Sequence, residues 1–140
     1  MDERTTIAEE LRARVGRSAF HRSFGMEVDE ASRGEVVLGW EAREEHLNLQ
    51  GLVHGGVLAT LLDTAMGLAI RSALDPSRRH VTIEMGVHYL RPAHPGRLRA
   101  RGRVARIGRE IAFADAEVID RQDRVLARAT GTFSVGHERG

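Results

Sequence analysis

The chain has 140 residues, enough for one domain with a substantial core and short for two. Its 21 basic and 20 acidic side chains leave a net charge of +1, which excludes a whole-protein field that would draw it to nucleic acid or an anionic membrane; any anion site must be local. No cysteine is present, so disulfides and thiolate chemistry are excluded and the commonest zinc ligand is missing.

The N-terminus mixes Asp2, Glu3, Glu9 and Glu10 with arginines, unlike the apolar region of a signal peptide or the acid-poor run of a transit peptide. With no targeting signal and no cysteine, a cytoplasmic protein is expected. From Thr5 to Ser18, Ile7, Ala8, Leu11 and Val15 recur three or four apart, the stripe of a surface helix. Residues 1–24 are therefore expected to form a helical flap over a main domain at 25–136, with 137–140 as a tail.

Met26 to Ala31 and Glu35 to Trp40 are strand-like runs around the turn Ser32, Arg33 and Gly34. Glu41 to Val53 has no clean period and predicts an irregular loop leading into a helix that starts near Gly55. In that helix Val57, Leu58, Leu61, Leu62, Ala65, Met66, Leu68, Ala69 and Ile70 point in nearly every direction, so a sheet should wrap it. Polar interruptions at Thr60, Asp63 and Thr64 keep the apolar run below the roughly 20 residues of a membrane helix. Gly67 inside this helix implies a second backbone passing close by.

Beyond the turn at Asp75 to Ser77, four strands are expected: His80 to Leu90, Arg97 to Ile107, Glu110 to Ile119 and Arg124 to Val135. Alternation puts Val81, Ile83, Met85, Val87 and Tyr89 on the helix-facing side of the first, with Thr82, Glu84 and His88 opposite. In the next two, Ala100, Gly102, Val104, Ala112, Ala114, Ala116 and Val118 form a small-residue inner face. Arg97, Arg99, Arg101 and Arg103 then point outward, where Asp115, Glu117 and Arg128 suit cross-strand ion pairs better than a nucleic-acid stripe. The sum is an α+β fold, a long central helix wrapped by an antiparallel sheet with one wet face.

The segment Asn48 to Asp63, NLQGLVHGGVLATLLD, carries the chemistry. Gly55 and Gly56 lie where a loop becomes a helix, so their N–H groups lack helical partners and can face an oxyanion with the helix dipole behind them. Asp63 is the only ionisable residue between Gly56 and Arg71, a carboxylate set in the most apolar stretch. Helical rise separates the two features by roughly 10 to 12 Å. Joint action on one carbonyl therefore implies a twofold dimer, in which Asp63 of one subunit meets the helix start of the other.

Asn48, Gly51, His54, Gly55, Gly56 and Asp63 together resemble the motif of the hotdog-fold thioesterases of the phenylacetate-degradation type, and the resemblance runs from Met26 to Val135. It implies the hotdog fold, subunits paired edge to edge, and dimers associating into homotetramers. It also implies an acyl-CoA thioesterase in which Asp63 is nucleophile or general base, the Gly55 N–H polarises the thioester carbonyl, and Asn48 and His54 orient substrate or water. The run from Thr82 to Pro92 is similar to the family's strand after the helix, where Thr82 matches a hydroxyl residue that assists the acid. Aspartate at position 63, where some relatives carry glutamate, favours an aryl or medium-chain acyl group by the same analogy.

Gly56 is expected to touch substrate, and Arg91, Arg106 and Arg109, at strand ends and turns, to grip the coenzyme A phosphates. No cofactor is expected, coenzyme A being part of the substrate. His21, His46, His80, His88, His94 and His137 show no paired ligand spacing, so no metal is assigned and they read as surface or loop residues. Two other functions suit the same fold: an acyl-CoA-binding module without turnover, and a hydratase or dehydratase.

Overall fold

The computed structural model describes residues 2–137; positions 138–140 of the expected tail lie outside the described residues. Two helices precede the sheet, α1 (Glu3–Arg17) and α2 (Ala19–Phe24), where the apolar stripe predicted one. Asp2 caps α1, its Oδ1 accepting from the Thr5 N–H at 2.8 Å, and Ile7, Ala8, Leu11 and Val15 are the buried face, as their spacing requires. The Ser18 hydroxyl caps α2, and Gly25 ends it at φ 87°, a left-handed conformation that glycine adopts without strain.

Six strands follow: β1 (Glu27–Ser32), β2 (Glu35–Ala42), β3 (Val81–Tyr89), β4 (Gly96–Ile107), β5 (Ile111–Ile119) and β6 (Val125–Ser134). They form one antiparallel sheet in the order β1-β2-β4-β5-β6-β3, so β3 is an edge strand. The long helix α3 (Gly55–Ala73) lies across its concave face, with Leu61, Leu62, Ala65, Met66, Ala69 and Ile70 at most 1% exposed. By length and composition α3 could cross a membrane, but half of it is buried inside this sheet, as a core helix would be.

The small inner-face residues are what allow the helix so close. Ala100, Ala112, Ala114, Ala116 and Val118 are all buried, and a β-carbon on Gly102 would stand 2.2 Å from the Ala65 carbonyl oxygen. The close backbone approach inferred for Gly67 thus belongs to Gly102. Gly67 instead makes room for the His80 ring, 3.4 Å from where its β-carbon would be.

On the outer face Arg101 pairs with Glu117 at 2.6 Å and Arg103 with Asp115 at 3.2 Å, as expected, whereas Arg97 reaches Glu27 and Asp29 and Arg99 reaches Asp123. Arg128 stands opposite Glu117 in the β5–β6 register. These exposed pairs are worth little stability each, but they keep that face wet.

The expected alternation in β3 is broken by a bulge between Thr82 and Glu84. Thr82 pairs with Phe133 and Met85 with Gly131, so both face α3, while Val81 opposite Ser134 and Glu84 opposite Thr132 face outward. Ile83 is the additional residue, and Val81 and Ile83 are 57% and 53% exposed rather than packed on the helix. One inserted residue reverses every side chain before it, because strand periodicity is two.

Candidate active site

The loop before α3 is built by Asn48. Its Oδ1 accepts from the Gln50 and Leu52 N–H groups at 2.9 and 3.1 Å, and a Leu47–Val53 bridge closes the loop. Gly51, at φ 77°, makes the turn within it. Asn48 therefore shapes the approach to the helix, and its Oδ1 is committed to backbone.

His54 is the N-cap of α3. Its Nδ1 accepts from the Gly56 N–H at 2.9 Å, which assigns the neutral ring's proton to Nε2. The Gly56 donor expected to face substrate is consumed by this cap. Among the described residues the Gly55 N–H has no hydrogen-bond partner, so it is the donor left to face a ligand at the positive end of the helix.

Sequence reasoning missed Tyr89 here. Its hydroxyl donates to the Gly55 carbonyl at 2.7 Å, and its ring lies 3.3 Å from where a Gly55 β-carbon would stand. A side chain at 55 would crowd the tyrosine ring, which would have to give by a few tenths of an ångström. The only signal was an aromatic residue on the inward alternation of β3.

Eight residues along α3, Asp63 is half-buried rather than engulfed. The bulge in β3 aims Thr82 inward, and its Oγ1 donates to Asp63 Oδ1 at 2.8 Å. Asp63 Oδ2 has no partner among the described residues. Both residues line a cavity of about 540 Å³ with Thr60, Thr64, Leu68 and Phe133 and, from the flap, Val15 and Phe20. Gly55 is absent from its wall, in keeping with the roughly 12 Å of helical rise between Gly55 and Asp63.

His80 also lines this cavity and is no surface histidine. Burial, then the charges of Arg71 and Arg14, push its pKa down to about 4. His21, on the flap side, is shifted down by burial, and its Nδ1 lies 2.6 Å from the Ser18 hydroxyl. The three arginines expected at phosphates are all exposed. Arg91 follows β3 near the Gly55 end, whereas Arg106 and Arg109 sit at the β4–β5 turn, so one chain does not bring the three together.

A long central helix wrapped by a six-stranded antiparallel sheet is the architecture of the hotdog-fold thioester hydrolases. Residues 50–127 match the thioesterase superfamily, and the chain belongs to that family. The medium/long-chain acyl-CoA thioesterase YigI of Escherichia coli is 31% identical over 132 residues, covering 84% of this chain and 85% of that one. A thioesterase family protein from Silicibacter pomeroyi superposes with a TM-score of 0.87 at 27% identity, covering 94% of this chain and 99% of its own. The E. coli PaaI protein of the phenylacetic acid degradation operon has the same fold, with a TM-score of 0.87 at 24% identity over 99% and 97% of the two chains.

Proposed function

We propose that the protein hydrolyses an aryl- or medium-chain acyl-CoA to the free acid and coenzyme A, each site being assembled from two chains. The observation that carries this reading is the Thr82–Asp63 hydrogen bond, which fixes one carboxylate oxygen and leaves the other facing a cavity of acyl-group size. Asp63 Oδ2 either attacks the thioester carbon, expelling the thiolate and leaving an anhydride that water opens, or takes the proton of an attacking water. The Gly55 N–H of the second subunit receives the developing oxyanion.

Edge strand β3 supplies the surface for pairing, with one side unpaired and Val81 and Ile83 exposed beside it. A homodimer formed there, and a homotetramer of two such dimers, is the assembly this reading requires. Arg91, Arg106 and Arg109 lie at opposite ends of the sheet, so the two chains of a dimer can contribute different members of the set to one coenzyme A. The enzyme works in the cytoplasm without a cofactor.

Asp63→Asn should lower kcat/KM in a thiol-release assay by about 10² to 10⁴-fold while an acyl-CoA still binds. Hybrids of Asp63→Asn with Gly55→Pro subunits should recover one functional site per dimer. Full activity in Asp63→Asn, or in a demonstrated monomer, would overturn the mechanism.

A further inference from the structure

The cavity that holds Asp63 is not uniformly apolar, and besides the threonines around the carboxylate it is lined by three basic side chains. One helical turn past Asp63, the imidazole of His80 lies on Gly67, and the flap brings Arg14 and His21 to the same wall. His80 makes no hydrogen bond among the described residues, and neither of its ring nitrogens is sealed off from solvent. Nothing in a purely alkyl substrate could replace the water these nitrogens would lose.

Charge decides what kind of group fits there. Arg14 has no acidic partner among the described residues, and Asp63 is the only carboxylate in the wall. Arg71, held by the carbonyls of Leu74, Asp75 and Arg78, adds a second guanidinium charge behind His80. The wall therefore sets the Arg14 guanidinium and the His80 and His21 imidazoles beside Val15, Phe20, Leu68 and Phe133, with Asp75 offsetting only the Arg71 charge behind them.

Resting on the acyl-CoA reading above, we infer that the preferred acyl group ends in a carboxylate: the substrate is the coenzyme A monothioester of a dicarboxylic acid, and Arg14 and His80 are its specificity-determining residues. The rise from Asp63 to Gly67 is about 6 Å. Contacts of about 3 Å at the two ends, from Asp63 to the reacting carbon and from the donor to the distal carboxylate, offset each other, so the span fits a chain of roughly five to seven carbons. His80 in its neutral Nε2-H or Nδ1-H form donates one bond, and Arg14 supplies the charge. Hydrolysis itself is unaltered: water adds across the thioester, giving the diacid and free coenzyme A.

The test is thiol release from substrates matched in length, adipoyl-CoA against hexanoyl-CoA and glutaryl-CoA against pentanoyl-CoA. The wild type is expected to favour the carboxylated member at least ten-fold in kcat/KM. Arg14→Gln, at an exposed helix position, should cut that ratio at least five-fold through KM, and His80→Leu should cut it further. Equal or better use of the unsubstituted acyl-CoAs by the wild type overturns the inference and leaves the thioesterase reading standing. A preference untouched by both substitutions overturns the assignment to Arg14 and His80. Failure to hydrolyse any of the four overturns the inference, and octanoyl-CoA and benzoyl-CoA run beside them then show whether the thioesterase reading stands.

Discussion

Acidifying the protein from pH 7 to 4.5 should cost it stability chiefly through His80. The unfolded chain takes up a proton on this ring near its ordinary value of 6.5, whereas burial and then Arg71 and Arg14 hold the folded ring neutral until about pH 4. Between those values the unfolded state binds the extra proton, so the contribution is complete above pH 6.5 and is lost as pH falls toward 4. A shift of that size integrates to about 3 kcal/mol. The ring nitrogens retain some contact with solvent in the cavity, which reduces the expected loss to about 2 kcal/mol at pH 4.5. Urea denaturation of the wild type and of His80→Gln at both pH values isolates the effect. His21, shifted in the same direction, and the lowered carboxyls of Asp2, Asp75 and Asp120 are common to both proteins. If His80→Gln loses as much stability as the wild type over this interval, the burial argument is wrong.

Gly102→Ala should destabilise by about 3 kcal/mol, because the new methyl meets the Ala65 backbone at 2.2 Å and only displacement of α3 can relieve it. A loss below about 1 kcal/mol in the same denaturation assay would mean that helix and sheet separate easily. Thr82→Val keeps the shape and removes the bond to Asp63; kcat/KM should fall about ten-fold with little change in the urea midpoint. An unaltered rate would show that the hydroxyl does not position the carboxylate.

What could be read from the chain alone was whatever depends on short stretches. The run from Val57 to Ile70 specifies a helix apolar in nearly every direction, and such a helix has to be wrapped. Alternation in β4 and β5 sorted small inner residues from outer charges, and the ion pairs followed from it. The separation of Gly55 from Asp63 is simple helical rise, which is why a two-chain site could be inferred without coordinates.

The rest depended on partners distant in sequence. Thr82 faces inward only because β3 bulges where it pairs with β6, and a period-two reading cannot register one inserted residue. His54 consumes the Gly56 donor, leaving Gly55, through a capping geometry that a His-Gly-Gly string does not distinguish from two available donors. Tyr89 reaches Gly55 across 34 positions, and His80 finds Gly67 only after the chain has turned back along α3. The sequence by itself determined the helix, the strands and the separation of donor from carboxylate, since these follow from local periodicity and rise. Tertiary structure decided which donor remains, how the carboxylate is held and what faces the acyl group, because each is set by side chains that meet only when the sheet closes around the helix.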